Sequence, residues 1–272
     1  MVYVARASVA TLYAAPSAQS ERVDEMLCGM RAAVLDERPQ GWLLVRTEYR
    51  YEGYMRWKQL AAPVAQEAQR MYINAFAADI LVEPKVQAQP VACLTLGGTL
   101  YVSDRDRAKN ENAGEGWSRV CLADGRWGYI RSTFLSTMTN PTAALSAEDE
   151  AALRRRITWA AKRYLGAQYR WGGKSPRGID CSGLCFMAYW LNGITICRDA
   201  RIMPDFPVTE IDPACVREGD LLFFKRHVAM ALDDCGETVI HSSEAGNGVG
   251  IEKRSEMSDR VLLHAGSVFG TR

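Results

Sequence analysis

Two segments in the N-terminal half repeat one pattern of apolar and polar positions. Residues 41–60 read GWLLVRTEYRYEGYMRWKQL and residues 116–135 read GWSRVCLADGRWGYIRSTFL, a lag of 75 residues without a gap. Short apolar runs of period two, separated by turn residues, are typical of β-strands. The pattern therefore predicts a small β-barrel that is used twice.

Matched residues support the repeat, because four apolar or aromatic positions keep the same register. The matched pairs are Trp42 and Trp117, Val45 and Val120, Tyr54 and Tyr129, and Leu60 and Leu135. Aromatic side chains supply much of the buried area of a small barrel. We therefore expect these aromatics to lie in the two barrel cores rather than to bind a ligand.

The pattern changes after Ser146, where helical signals replace strand signals. Ser146 can cap a helix, Glu148 to Glu150 supply negative charge to its first turn, and Gly166 follows its end. A glycine-rich stretch leads to Asp180, and residues 182–191 have a second helical pattern. The C-terminal part is thus predicted to mix helices with strands.

Composition restricts the possible partners of the chain. Apolar residues make up 48%, charged residues 24%, and the net charge is +1, so no overall field attracts nucleic acid or an anionic membrane. No apolar run approaches the ~18 residues of a spanning helix, and Arg6 interrupts any signal-peptide core. The eight cysteines form no CxxC pair, so we expect free and mostly buried thiols in a reducing compartment.

Cys181 differs from the other cysteines because it follows a loop and begins a predicted helix. Unpaired amides and the positive end of the helix dipole stabilise a thiolate there and lower the thiol pKa. Asp180 or Ser182 can cap this helix, and Gly183 permits close approach of another segment. The pattern indicates a nucleophile, although a buried structural cysteine is the alternative.

A nucleophilic cysteine needs a base, and the chain offers only three histidines: His227, His241 and His264. His227 begins a predicted strand, and His241 ends the next one after a turn at residues 233–237. These two rings should be neighbours, with His241 orienting His227. His264 has no such companion, and a zinc site fits this order less well than a Cys–His pair.

Five motifs in this order carry a family resemblance: GAQYRWGG, IDCSGL, REGDLLFF, RHVAMAL and VIHSS. They resemble the NlpC-type papain-like cysteine peptidases, and the upstream repeats resemble bacterial SH3-like domains. The whole chain is similar to the muropeptide-recycling γ-D-glutamyl-L-diamino acid endopeptidases. The resemblance implies an α+β papain-like C-terminal domain over 146–272, preceded by two small SH3-like β-barrels over 1–62 and 72–138.

The resemblance also implies roles for residues of the C-terminal domain. Cys181 would be the nucleophile, His227 the general base and then acid, and His241 the residue that orients His227. Tyr169 would lie by the oxyanion and the substrate. The remaining implied contacts are those of Asp180 and Ser182 with an N-terminal L-alanine, and of Arg198 and Asp199 with γ-linked D-glutamate.

The first barrel would complete the L-alanine subsite. Tyr51 matches one amine-binding residue of the subfamily, and Glu21 or Glu25 matches the other, with Glu21 preferred. Three positions depart from the subfamily pattern: Cys197 stands in place of a proline, Ala200 in place of a serine of the D-glutamate subsite, and Tyr54 in place of a tryptophan.

The resemblance thus implies a cysteine peptidase that releases L-Ala-γ-D-Glu from peptidoglycan-derived peptides with a free L-alanine. We expect a monomer in the cytoplasm without cofactor or metal, acting on small peptides and binding neither nucleic acid nor membrane. Three alternatives stay open. They are a secreted endopeptidase acting on intact wall after removal of a signal peptide, a wall-binding protein with an inactive C-terminal domain, and an acyltransferase.

Overall fold

The computed structural model describes residues 1–64, 68–102, 116–138, 145–257 and 260–270. The chain divides into two compact units, Met1–Met138 and Thr139–Arg272. Neither of the helices among the described residues has the length and apolar character needed to cross a membrane.

The first unit contains two antiparallel sheets of seven strands each. The first sheet consists of β1 (Val2–Ala5), β2 (Val9–Tyr13), β3 (Arg22–Leu27), β4 (Arg31–Arg38), β5 (Trp42–Thr47), β6 (Glu52–Arg56) and β7 (Leu60–Ala61). The second consists of β8 (Gln69–Ile73), β9 (Ala77–Leu81), β10 (Pro90–Thr95), β11 (Thr99–Val102), β12 (Trp117–Cys121), β13 (Trp127–Arg131) and β14 (Leu135–Thr137).

Both sheets follow the same spatial order of strands. The first is ordered β3-β2-β6-β5-β4-β1-β7 and the second β10-β9-β13-β12-β11-β8-β14, so every strand of one has its counterpart seven strands later. The repeat that the sequence pattern predicts is therefore present in the fold. Both sheets are consistent with SH3-like barrels.

The matched tryptophans have the same surroundings in the two sheets. Trp42 and Trp117 are buried, and each lies under the guanidinium of the residue opposite on the next strand, Arg56 at 4.2 Å and Arg131 at 4.4 Å from the ring centre. These contacts are cation–π interactions, which add to the apolar burial. The prediction of core aromatics is confirmed for the tryptophans.

The matched tyrosines differ from that prediction. Tyr54 and Tyr129 are only partly buried. The strand register puts each tyrosine on the same sheet face as the matched tryptophan, and Tyr129 packs against the buried Leu81 and Trp117. The assignment of these tyrosines to the cores therefore holds only in part, since both rings are half-buried and Tyr129 packs against a core cluster.

The two sheets meet at a tight turn of the first one. The amide of Thr99 donates to the Cys28 carbonyl at 2.7 Å, and Arg70 Nη2 donates to the Gly29 carbonyl at 3.1 Å. Gly29 has φ +81°, and a Cβ there would lie 2.3 Å from Thr99 Oγ1. Glycine is required at this position both by the backbone conformation and by the approach of Thr99.

The second unit combines two helices with a six-stranded antiparallel sheet of order β17-β22-β18-β19-β20-β21 and a two-stranded sheet. Its elements are α1 (Ala147–Lys162), β15 (Lys174–Ser175), β16 (Gly178–Ile179), α2 (Cys181–Trp190), β17 (Thr209–Ile211), β18 (Leu221–Phe224), β19 (His227–Ala231), β20 (Thr238–Ser243), β21 (Gly248–Lys253) and β22 (Leu262–Ser267).

The two helices begin where the sequence predicts capping residues. The Ser146 side chain accepts from the Asp149 amide at the start of α1, and the Asp180 side chain accepts from the Gly183 amide at the start of α2. Helix α2 is apolar and almost entirely buried, and it contacts α1 and strands β19 and β20. This packing places the start of α2 beside the strands that carry His227 and His241.

The predicted domain boundaries at 62, 72, 138 and 146 stay predictions, since the structure divides the chain only at 138. Residues 103–115 of the second predicted barrel lie outside the described residues.

Candidate active site

Cys181 is the first residue of α2 and is 7% exposed. The helix can begin beside the glycine-rich loop because Gly183 has no side chain; a Cβ there would lie 2.3 Å from the Gly173 carbonyl oxygen. The prediction that Cys181 lies at a helix start, with close approach at Gly183, is confirmed.

The ionisation of Cys181 differs from the sequence prediction. Burial and the neighbouring Asp180 carboxylate raise the thiol pKa to about 11, although hydrogen bonds from the Val228 and Ser182 backbone amides oppose this rise. The predicted lowering of the pKa is wrong because loss of water and a nearby negative charge outweigh the helix start.

His227 and His241 lie on one face of the sheet and contact each other. Residues Met230 and Ile240 are paired between β19 and β20, which makes the two histidines diagonal neighbours. His227 Nε2 and His241 Nδ1 are 2.7 Å apart, and both residues are buried. The predicted contact between the two rings is confirmed.

Glu252 joins this group, although no motif or spacing in the sequence points to it. Its Oε1 is 2.5 Å from His241 Nε2, and its side chain on β21 is 39% exposed. The register of β20 against β21 pairs Val239 with Glu252 and His241 with Gly250, so Glu252 shares the face of His241. Only this register reveals the partner.

Burial keeps both rings neutral. Desolvation, with a smaller effect of the Arg260 charge, lowers the pKa of His227 to about 3, and burial also lowers the pKa of His241 despite the Glu252 carboxylate. At neutral pH the resting site therefore holds a neutral imidazole at His227 and a protonated thiol at Cys181. Val228, whose amide contacts the thiol, directly follows His227, and this places the thiol beside the start of β19.

Asp180 is the centre of a buried hydrogen-bond network around the cysteine loop. Its carboxylate accepts from the amides of Gly172 at 2.8 Å and Gly183 at 2.6 Å. Arg198 donates to both of its oxygens at 3.0 Å, and it also donates to Ser182 Oγ at 2.8 Å and to the Gly173 carbonyl at 3.2 Å. Charge-assisted bonds of this kind are the stronger ones.

The network gives Asp180, Ser182 and Arg198 a clear positioning role. Arg198 is 2% exposed, and its guanidinium connects the loop before α2 to the first turn of the helix. Substrate contacts of these three residues stay predictions. The predicted contact of Arg198 with D-glutamate stays a prediction; its guanidinium donates to Asp180, Ser182 and the Gly173 carbonyl.

Tyr169 lies near the same groups. Its backbone forms an isolated parallel bridge with Ile179, two residues before Cys181. Partial burial, with the nearby Cys181 and Asp180, raises the pKa of its phenol to about 12. The phenol is therefore protonated at neutral pH and can act as a hydrogen-bond donor.

The other predicted substrate residues are Asp199 in the second unit and Tyr51 and Glu21 in the first. Asp199 pairs with Arg201 at 3.1 Å, and both are well exposed. Tyr51 and Glu21 belong to the first unit, where Tyr51 is partly buried and Glu21 exposed, whereas the alternative Glu25 is 1% exposed. Their contacts with a substrate stay predictions.

All eight cysteines are free thiols, but only four are buried: Cys28, Cys121, Cys181 and Cys185. Cys93, Cys215 and Cys235 are exposed; the expectation of a buried thiol is wrong for Cys93, whereas Cys215 and Cys235 lie in polar stretches of the sequence, where exposure is expected. Among the described residues, no group of three or more His, Cys, Asp or Glu side chains is arranged to hold a metal ion.

Comparison with known families matches two regions of the chain. Residues 166–265 match the NlpC/P60 family model, and residues 12–60 match the model of the bacterial dipeptidyl-peptidase Sh3 domain. The first match contains Cys181, His227, His241 and Glu252. The resemblance stated from the motifs is confirmed.

Individual relatives agree with these matches. Dipeptidyl-peptidase 6 of Lysinibacillus sphaericus is 43% identical over 257 residues, which cover 92% of this chain and 90% of that protein. The γ-D-glutamyl-L-lysine dipeptidyl-peptidase of Bacillus subtilis is 32% identical over 138 residues, 46% of this chain and 44% of that protein.

A solved structure shows the same fold over the full length. The crystal structure of an NlpC/P60 family protein from Bacillus cereus superposes with a TM-score of 0.78 at 19% identity, covering 99% of this chain and 100% of the other. The fold is therefore an NlpC/P60 domain preceded by SH3 structure.

Proposed function

Because this chain belongs to the NlpC/P60 family of cysteine peptidases, we propose that it hydrolyses the amide between γ-D-glutamate and a diamino acid. Its substrates would be peptidoglycan-derived peptides with a free N-terminal L-alanine, and its product L-Ala-γ-D-Glu. One observation carries the proposal. The buried thiol of Cys181 lies at a helix start beside the strand of His227, whose ring contacts that of His241.

The neutral resting state favours general-base catalysis. With the Cys181 pKa at about 11 and the His227 pKa at about 3, a thiolate–imidazolium pair is not the resting form. The thiol proton moves to His227 as the sulfur attacks the carbonyl carbon. His227 then gives this proton to the leaving amine, and water hydrolyses the acyl-enzyme.

The loop before Cys181 supplies the groups for the charged intermediate and the substrate. Backbone amides at the start of α2 would form part of the oxyanion hole. The phenol of Tyr169 is protonated and lies close to Cys181 and Asp180. We propose that Asp180 and Ser182 contact the N-terminal L-alanine of the substrate.

A papain-like arrangement is part of the same proposal. Helix α2 carries Cys181 and packs against strands β19 and β20, which carry the two histidines. The printed names of the two relatives, a dipeptidyl-peptidase and a γ-D-glutamyl-L-lysine dipeptidyl-peptidase, support release of a dipeptide. We also propose recycling of wall peptides in the cytoplasm as the setting.

Cys181→Ala tests the nucleophile. We expect release of L-Ala-γ-D-Glu from L-Ala-γ-D-Glu-diaminopimelate to fall at least ~1,000-fold, because no other group forms the acyl-enzyme. Cys185→Ala is the matched control, since Cys185 is a second buried thiol one turn along α2. It should retain activity within a few fold. Dipeptide release by Cys181→Ala at the wild-type rate would disprove the assignment.

Mass spectrometry of products tests the substrate class. The free tripeptide, the same peptide with an acetylated L-alanine, and intact sacculi are compared under equal conditions. We expect cleavage of the free peptide alone. Equal rates on sacculi would instead support a wall endopeptidase, and transfer to an added amine would support an acyltransferase.

A further inference from the structure

Three side chains on neighbouring strands form a continuous line of hydrogen bonds. Glu252 Oε1 is 2.5 Å from His241 Nε2, and His241 Nδ1 is 2.7 Å from His227 Nε2. The strands β21, β20 and β19 that carry them are adjacent in the six-stranded sheet. Both rings are buried, whereas the carboxylate is partly exposed at the outer end of the line.

These contacts determine where each ring carries its proton. An ionised carboxylate can only accept, so the proton of His241 lies on Nε2, and its Nδ1 has the free electron pair. Two ring nitrogens at 2.7 Å cannot both carry protons, so Nε2 of His227 is the donor to His241. The electron pair of His227 therefore lies on Nδ1, the only ring nitrogen left for the thiol.

We infer that Glu252 is a positioning residue that acts through His241 to hold His227 in the tautomer able to accept the thiol proton. This inference rests on the proposed function, in which His227 is the base for Cys181. During attack the S–H bond of Cys181 breaks and an N–H bond forms at His227 Nδ1. That proton later moves to the leaving amine, while Glu252 and His241 keep their protonation.

Further charges among the described residues act on the line or on the thiol, among them those of Arg260 and Asp180. Arg260 affects both rings, and its charge lowers the pKa of each. Asp180 acts on the thiol side, where it raises the pKa of Cys181. Of these groups, only Glu252 forms a hydrogen bond with a ring. Its removal should therefore change the tautomer of His227 as well as the electrostatic potential at the two rings.

A second His–Glu pair in the same sheet provides a matched control. His264 Nδ1 is 2.7 Å from Glu210 Oε1, but both side chains are more than half exposed. This pair lies on β22 and β17, outside the line to Cys181. Removal of Glu210 takes away an equal charge and an equal contact without touching His227.

The first test is the tautomer itself, measured by ¹⁵N NMR of the histidine rings at pH 7 in the full chain. Three histidines make assignment by single substitution practical. We expect wild-type His241 and His227 to be protonated at Nε2. In Glu252→Ala, His227 should populate both tautomers, whereas Glu210→Ala should match the wild type. Protonation of wild-type His241 at Nδ1 would overturn the inference without any variant or substrate.

The second test is kinetic. Glu252→Ala should lower kcat by about 10- to 100-fold with KM within two-fold, because substrate contacts are unchanged. Glu252→Gln, whose amide oxygen can accept the same Nε2 proton, should recover to within about five-fold of wild type. A kcat of Glu252→Ala within two-fold of the wild type would also overturn the inference.

The two tests separate this inference from the proposed function. If the wild-type chain cleaves none of the peptides, the proposed function fails, and the NMR result still decides the role of Glu252. If the wild-type chain is active but its histidines populate both tautomers, the role of Glu252 is disproved while the proposed function stands.

Discussion

Two buried arginines of the second unit make similar bonds in different places. Arg154 on α1 donates to Glu150 Oε1 at 2.9 Å and to Asp220 Oδ1 at 2.8 Å. Arg198 donates to both oxygens of Asp180 at 3.0 Å. All of these charges are nearly inaccessible to solvent, since none of the five residues exceeds 6% exposure.

The surroundings decide what each arginine does. Arg154 connects α1 to the residue before β18 and lies 4.0 Å from the ring centre of Phe269. Arg198 instead connects the loop before Cys181 to Ser182 in the first turn of α2. The same Arg–carboxylate chemistry should thus support stability in one region and the geometry of the candidate site in the other.

The largest expected effect follows from removal of the Arg154 charge. Arg154→Met leaves Glu150 and Asp220 buried with less positive charge, which should lower the free energy of unfolding by about 3–5 kcal/mol. Urea unfolding at pH 7 measures this loss. At 10 °C, kcat/KM of the folded variant should stay within two-fold of wild type. A much larger loss of activity would remove the distinction between the two arginines.

Matched lysine variants sharpen the comparison. Arg198→Lys keeps the charge but loses the paired bonds to Asp180, so kcat/KM should fall about 10- to 100-fold, or about 1.4–2.7 kcal/mol in transition-state stabilisation. Arg154→Lys loses similar bonds outside the site and should leave kcat/KM within two-fold. Equal losses in both variants would show that activity only follows overall stability.

The smallest expected effect concerns pH. The His227 pKa is lowered from 6.5 to about 3, so the unfolded chain binds this proton near pH 6.5 while the native chain does not. Stability from this group is present above pH 6.5 and is lost as pH falls towards 3, by about 2 kcal/mol between pH 7 and pH 5. We expect the free energy of unfolding of His227→Gln, measured with urea, to fall by about 2 kcal/mol less between pH 7 and pH 5 than that of the wild type.

The control for this titration is a variant outside the candidate site. Arg154→Lys keeps all three histidines, so its stability should retain the His227 part of the wild-type drop between pH 7 and pH 5. An unchanged drop in His227→Gln would mean that the native protein binds a proton at this ring.

Much of this arrangement follows from the sequence because it depends on local patterns. The 75-residue lag predicts the repeated sheet order, and the Gly-rich loop before a capped helix predicts the position of Cys181. The turn after His227 is short enough to make its strand pair with the next one, which predicts the contact with His241. Each of these features is decided by neighbouring residues.

Other features depend on long-range packing and could not be predicted. Glu252 reaches His241 only through the register of β20 and β21. The direction of the Cys181 pKa shift depends on its burial and on Asp180, which no spacing reveals. Arg198 lies 18 residues beyond Asp180, and the fold rather than the motif makes them partners.

The contact between Thr99 and the turn at Cys28 and Gly29 has a consequence for cooperativity. Cys28 packs in the same apolar cluster as Leu100 and Val120 of the second sheet, so the core of the second sheet includes a residue from the turn of the first. Loss of either sheet exposes apolar surface of the other. Despite the internal repeat in their sequence, the two barrels should therefore unfold in a single transition.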